Sequence, residues 1–428
     1  MSQYDAVTPP RAGRRALVFI IVTVLIDSIG FGIILPVMPE LIMELTGAGL
    51  SRAVVYGGWL AFAYAVMQFF CAPVLGNLSD RFGRRPVLLL CLLALGLDYL
   101  VMGVAGWIGW LFVGRLVAGI TGASFTPAYA YLADISPPEK RAQNFGLIGA
   151  AFGIGFIAGP AIGGLLGALG SRTPFFAAAA LALFNVTFGY FVLPETLAPE
   201  ARRSFQWSRA NPLGTLLQMR RYPAVIGLFA VTFLWQLGHQ VFPSTWSFYT
   251  MLKFAWSEAE VGYSLAFVGV IMAIGQGVLT RVLIPRLGGE RRAALAGLLC
   301  ATAGYVGYAF ATQGWMMYAW MLTWFLGGLV YPSLNAIMSR QVPASVQGEL
   351  QGGVASLYSL SSIVGPPLMT QLLGYFSSPQ APVQVPGAAF LASAVLSMGC
   401  ILLFARTLRP HGAPAAGPVA ATAAPQAD

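Results

Sequence analysis

The chain has 428 residues, of which 57% are hydrophobic and only 9% charged, against about 25% charged in an ordinary soluble domain. Folded in water it would expose apolar surface almost everywhere, so a soluble globular fold is excluded and a bilayer is its natural solvent. The net charge of +9 is spread in short clusters between apolar runs, a pattern of membrane orientation and not of nucleic-acid binding.

Residues 1–15 form a short N-terminal segment in which Arg11, Arg14 and Arg15 precede an apolar run of spanning length. No small-residue cleavage site follows, so the segment does not read as a removable signal. A span needs roughly 20 apolar residues. The runs predict about twelve spans, an all-α integral membrane fold. In the first half, residues 16–193, they begin near Leu17, Val54, Val87, Trp107, Phe145 and Phe175. The stretch 194–223 is the longest polar segment between spans and reads as a linker. In the second half, residues 224–406, spans begin near Ala224, Val261, Ala293, Trp315, Gly352 and Gly387. The Pro/Ala-rich tail, 407–428, has no periodicity and is expected to be disordered.

Very few polar groups interrupt the spans. Asp27 stands about ten residues into the first, roughly 15 Å from its edge at 1.5 Å per residue and so near the midplane. Asp98 reaches the same depth in the third span, and Arg115 does so in the fourth from the other side. An ionisable group at that depth costs at least about 2.5 kcal/mol, which marks it as functional. Burial raises a carboxyl's pKa and a nearby Arg lowers it, so an acid alternating between such surroundings can load and release a proton. The static alternative is an Asp–Arg pair, or an Asp bonded to a neighbouring hydroxyl. Gln68, Thr121, Gln236, His239, Gln240, Gln276 and Asn335 are the other polar groups in apolar runs, and with Tyr and Trp they suit an amphipathic, ring-bearing ligand. Each is equally explained by a bond to a neighbouring helix. Gly155, Gly159, Pro160, Gly163 and Gly164 form a small-residue face suited to close helix packing.

All but Arg52, Arg115, Arg172 and Lys253 of the 24 Lys and Arg fall at the termini or in alternate loops. With an even number of spans, both termini and those loops share the cytoplasmic side. The halves also repeat. Asp80-Arg81-Phe82-Gly83 matches Pro285-Arg286-Leu287-Gly288, Pro127 matches Pro332, Pro137 matches Pro343, and Gly159-Pro160 matches Gly365-Pro366, in order and at a nearly constant interval. An even number of spans per half makes the repeats parallel, related by an axis along the membrane normal. The four cysteines, Cys71, Cys91, Cys300 and Cys400, lie in apolar runs without metal-ligand spacing and read as buried thiols.

These landmarks carry a family resemblance. Gly76-Asn77-Leu78-Ser79-Asp80-Arg81-Phe82-Gly83-Arg84-Arg85-Pro86 resembles the loop between helices 2 and 3 of the major facilitator superfamily. Gly155, Gly159, Pro160, Gly163 and Gly164 resemble the helix 5 motif of its antiporters. Asp27, Gly30, Gly32, Pro36 and Pro39 resemble the first helix of its drug/proton exporters. Leu97-Asp98-Tyr99-Leu100 and Gly348-Glu349-Leu350-Gln351-Gly352 resemble its tetracycline exporters. The resemblance covers roughly Ala16 to Arg406. It implies a fold of two six-helix halves in the cell inner membrane, acting as a monomer without a cofactor. The implied activity is exchange of protons for an amphipathic drug, tetracycline-like and in metal-chelated form. It implies a conformational latch at Gly76, Asp80, Arg81, Gly83 and Arg84, proton coupling at Asp27, Asp98 and Arg115, and substrate contacts at Gln68 and Asn335. Two positions depart from the tetracycline exporters. Ala301 stands where they carry a helix 9 carboxylate, and Met272 where a helix 8 histidine is common.

Other classes lack their residues. A nucleotide-driven pump needs a Gly-rich loop ending in Lys-Ser or Lys-Thr, yet the only lysines are Lys140 and Lys253. A membrane-embedded enzyme needs clustered His, Asp or Glu, and the only histidines are His239 and His411. Proton-coupled uptake of a metabolite shares the fold and the acids and is the alternative function.

Overall fold

A computed structural model describes residues 12–122, 125–137, 140–205, 223–275, 280–343 and 346–407. Every described regular element is helical, as an apolar solvent demands when backbone groups must be satisfied within the segment. In the first half these are α1 (Ala12–Ile34), α2 (Met38–Thr46), α3 (Leu50–Phe82), α4 (Arg84–Val104), α5 (Ile108–Thr121), α6 (Phe125–Ile135), α7 (Arg141–Gly167) and α8 (Thr173–Val192). In the second they are α9 (Pro223–His239), α10 (Val241–Phe254), α11 (Glu258–Ile274), α12 (Thr280–Arg286), α13 (Glu290–Phe310), α14 (Gly314–Met321), α15 (Trp324–Gly327), α16 (Val330–Ser339), α17 (Gln347–Phe376) and α18 (Ala388–Thr407).

Among the described residues, nine segments are long and apolar enough to cross a membrane. Three further segments occupy the fourth, eighth and eleventh positions of the pattern. In the fourth, residues 123–124 between α5 and α6 lie outside the described residues, as do 276–279 between α11 and α12 in the eighth. The eleventh, α17, has 30 residues but is diluted by Ser, Gly and Gln and contains Pro366 and Pro367. All the span starts read from the sequence fall inside these helices or within a residue of them.

Local chemistry sets the helix ends. Ser257 and Glu260 form a reciprocal capping box at the start of α11, a device worth about 1 kcal/mol. Arg172 closes the far end of α4 by donating to Gly103 O at 3.1 Å and Ala105 O at 2.8 Å, while its guanidinium also binds Glu44. Lys253 closes the far end of α13 through Ala309 O at 2.8 Å. The two helices are structural repeats. Each has 21 residues, follows a glycine of positive φ (Gly83 at 107°, Gly289 at 104°), and ends at an alanine of nearly identical backbone angles (Ala105 and Ala311). A side chain is strained at such φ, so these two turns are glycine by necessity. The structure thus pairs Gly83 with Gly289, one residue beyond the Gly288 that the sequence match selects, because the second-half loop carries an extra residue.

The halves meet through α3 against α17, α7 against α11, and α10 against α3. The seam lies away from the face that carries the chain termini. There Gly58 lies against Thr370, Gly374 against Ser51 and Val55, and Gly57 against Phe248. Ser51 donates to Ser377 O at 3.2 Å, and Ser247 to Leu35 O at 3.0 Å. Toward the terminal face, Gly146, Gly149 and Gly153 of α7 and Gly348 of α17 have open space where a side chain would project. The halves therefore close on the opposite face and part toward the termini.

Candidate functional site

Three clusters collect most of the residues singled out in the sequence. The first is buried in the N-terminal half. Asp98 lies on the inner face of α4, its side chain fully buried, with Oδ2 at 3.9 Å from Arg115 Nη2 of α5. Neither carboxylate oxygen has a hydrogen-bond partner among the described residues. Arg115 instead donates from Nη2 to Met102 Sδ at 3.1 Å, and its Nε is unpartnered. A charge-assisted N–H···O bond is about 2.8 Å, so this is not the tight static pair that a purely structural role would favour. Gly114 makes room for the carboxylate, since a Cβ there would overlap Asp98 Oδ1. Asp27 of α1 also presents a buried Oδ1 without a partner. Both acids and Arg115 lie within electrostatic range of Tyr99, whose hydroxyl packs on Gly30 one turn beyond Asp27. Unpaired buried carboxylates are expensive when ionised.

The second cluster lies at the terminal face, where α3 turns into α4. Arg84 binds Asp80 at 2.5 Å, Asp134 at 3.3 Å and Ser79 Oγ at 2.7 Å. Glu195, just past α8, accepts from the backbone N–H of Arg84 at 2.9 Å and Arg85 at 3.2 Å, at the positive end of the α4 dipole. Arg203 N donates to Asp80 O, which holds the start of the linker to the same loop. Gly83 is buried against Glu195, and Gly76 O accepts from Ser79 Oγ. Arg81 stays exposed, stacked on Phe82 at 5.1 Å. Of the five loop residues, Asp80, Gly83 and Arg84 form the network, and each of its ion pairs stays within the N-terminal half.

The third cluster belongs to the C-terminal half. His239 is surrounded by aromatic rings, with centroid distances of 4.8 Å to Trp324, 5.5 Å to Phe242 and 6.2 Å to Trp235. Its Nδ1 is buried without a partner among the described residues. Gln236, one helical turn earlier, is buried beside it. Nearby, Gln240 donates to Ser362 Oγ of α17 at 2.7 Å. Asn335 and Gln351 form a reciprocal amide pair, its shorter bond 2.9 Å, between α16 and α17. Ala301 is buried in α13 at 5% exposure, so no charge stands at that depth there.

Other residues take different places. Gln68 donates to Tyr64 OH at 3.2 Å and joins the first cluster. Thr121 donates back to Val117 O at 3.0 Å, so its hydroxyl is engaged within its own helix. Gln276 lies outside the described residues. The small residues of α7 do not make one face. Gly155, Gly159 and Gly163 pack on the backbone of α1, while Gly164 and Pro160 meet Glu258 and Gly262 of α11 across the seam. Helical rotation over nine residues splits the row between two neighbours.

Several members of the clusters carried no sequence signal of their own. Tyr64, Tyr99, Trp235, Phe242 and Trp324 were hidden among abundant aromatics. Glu195 stood in a polar linker, though its place directly after Pro194 at the end of a span was a cue.

The family model described as "Major Facilitator Superfamily" matches residues 20–322 and 286–427. The chain belongs to that superfamily. It is 42% identical over 388 residues to the class C tetracycline resistance protein of Escherichia coli, covering 91% of this chain and 96% of that one. It is 41% identical to the class G tetracycline resistance protein of Vibrio anguillarum, over 82% and 89% of the two chains. Among solved structures, a bacterial homologue of the human lysosomal transporter Spinster, in an inward-facing and unoccupied conformation, superposes with a TM-score of 0.74 at 15% identity, covering 94% of this chain and 97% of that one. Family and fold make the chain a multi-pass membrane transporter of the major facilitator fold.

Proposed function

We propose that the chain exports an amphipathic, ring-bearing drug of the tetracycline class in exchange for protons. Its likeness to tetracycline resistance proteins over most of its length supports the substrate class. The unpaired carboxylates of Asp27 and Asp98 are the observation that carries the coupling. Each is costly when ionised and dry, so each favours protonation in one state and release in the other. A proton gradient then becomes a population shift between the two openings of the cavity. With Ala301 in α13, these two acids carry the coupling, and the aromatic surroundings of His239 offer ring faces to the drug. The halves span 16–193 and 224–406, the chain acts as a monomer, and the terminal face is cytoplasmic. Tetracycline chelates divalent metal ions, so the cargo crosses as substrate with its metal.

The test is expression in a pump-deficient bacterium, followed by drug uptake into everted vesicles with an imposed pH difference. Raised tetracycline tolerance with pH-driven uptake is expected. Protease added outside those vesicles should remove the C-terminal tail. Unchanged susceptibility to all drugs would favour metabolite uptake, and a protected tail would reverse the orientation.

A further inference from the structure

Proton coupling by Asp27 and Asp98 gives no task to Tyr64, a half-buried aromatic of the first cluster. Tyr64 lies on α3, the helix that packs along α17 of the opposite half, whereas α5, which carries Arg115, packs chiefly on α3 and α4. The Tyr64 ring faces the Arg115 guanidinium at 6.0 Å from its centroid. Its hydroxyl accepts from Gln68 Nε2, and the same amide reaches Gly122 O at 3.4 Å. Gly122 packs on the Tyr64 hydroxyl and ring, so a side chain there would displace them, while Gly119 lets α5 approach the Tyr64 backbone carbonyl. The residue is within electrostatic range of Arg115, of Asp27 and of Tyr358 on α17. Order of burial follows the same line. Tyr64 and Asp27 are partly exposed, Arg115 is 8% exposed and Asp98 3%.

We propose that Tyr64 is a positioning residue of the proton site, a lid whose ring separates the Asp98–Arg115 pair from the space between the halves. The ring supplies a cation–π face that holds Arg115 while Asp98 is dry. Gln68 and Gly122 hold the ring in place. Asp27, on the near side of the lid, meets the cavity first, and Asp98 is reached only when Tyr64 moves. The two acids are thereby made sequential instead of equivalent. The proposal rests on Asp98 being a coupling acid, but its test does not require that the drug be tetracycline.

Purified full-length protein in detergent is treated with dicyclohexylcarbodiimide, which modifies protonated carboxyls in apolar surroundings, and labelling at Asp27 and Asp98 is followed by mass spectrometry. In the parent, Asp27 should label and Asp98 should lag. Tyr64→Ala should raise the Asp98 rate at least about tenfold, a barrier change of about 1.4 kcal/mol, with Asp27 unchanged as the internal control for folding. Tyr64→Phe keeps the ring and should restore the lag. Gly122→Ala, which pushes on the hydroxyl without deleting the ring, should expose Asp98 as well and stands in if Tyr64→Ala does not fold. In vesicles, Tyr64→Ala should lose pH-driven accumulation while Tyr64→Phe retains it. An unchanged Asp98 rate in both Tyr64→Ala and Gly122→Ala, or equal exposure by Tyr64→Phe, overturns the lid. If the lid pattern holds but the parent moves no tetracycline, the substrate assignment fails and the lid stands.

Discussion

The two halves share a backbone plan and divide the chemistry. In the N-terminal half the groups with unpartnered buried polar atoms include the ionisable Asp27, Asp98 and Arg115. In the C-terminal half α13 carries the buried Ala301, and a ring cluster gathers about His239, Phe242, Trp235 and Trp324. The terminal-face ion pairs show the same divergence in miniature. Arg84 of α4 pairs with Asp134 of α6, and at the equivalent places Glu290 of α13 pairs with Arg340, just past α16, with the charges exchanged. The duplication preserved where a pair is needed and left its sign free. A fold whose geometry is set by helix packing can place protons in one half and cargo in the other, so that each is tuned separately.

Breaking the acid half should have the largest effect. Asp27→Asn is expected to reduce pH-driven drug accumulation by at least about 100-fold, close to 3 kcal/mol of coupling, while drug exchange without a gradient persists. The measurement is uptake in everted vesicles with and without an acid interior. Uphill accumulation by this variant would move the coupling to other acids. A smaller effect is expected from the aromatic half. His239→Phe keeps the stacking on Trp235 and the edge contact with Trp324 but removes the unpartnered nitrogen, and should raise the drug KM about tenfold with the ratio of protons to drug unaltered. A changed ratio would show that the halves do not divide the tasks as described. The smallest effect should come from the exchanged ion pair. Arg340 is 71% exposed in its pair with Glu290, and such pairs contribute about 0–1 kcal/mol. Arg340→Ala should leave transport within about twofold of the parent. The same change at Arg84, which binds Ser79, Asp80 and Asp134 together, should slow turnover several times more. Equal losses at the two sites would mean that both are latches.

Much of this was legible in the chain. Span starts follow from hydropathy, and the stretch from Gly76 to Arg84 was singled out by its resemblance to the family's loop between helices 2 and 3. What the sequence did not carry is pairing between helices. Gln68 stands out as a polar residue in an apolar run, and Tyr64 lies one turn away on the same helix, but nothing local says that the amide also reaches Gly122 O at the end of α5. Thr121 stands out equally and bonds only to its own helix. Glu195 gains its meaning from the N–H groups of Arg84 and Arg85, far away in sequence. The row from Gly155 to Gly164 reads as one face until two different neighbours are seen on it.

The seam on the closed face has a mechanical consequence. Gly58 against Thr370, Gly374 against Ser51 and Val55, and the bonds from Ser51 and Ser247 to backbone oxygens bring together only uncharged groups. Parting them costs dispersion and neutral hydrogen bonds of about 1 kcal/mol each, and strands no buried ion. These contacts hold no charge for salt to screen, and Glu258 meets Gly164 and Gly167 elsewhere along the seam. Parting the contacts about Gly58, Gly374 and Ser51 should therefore depend little on ionic strength.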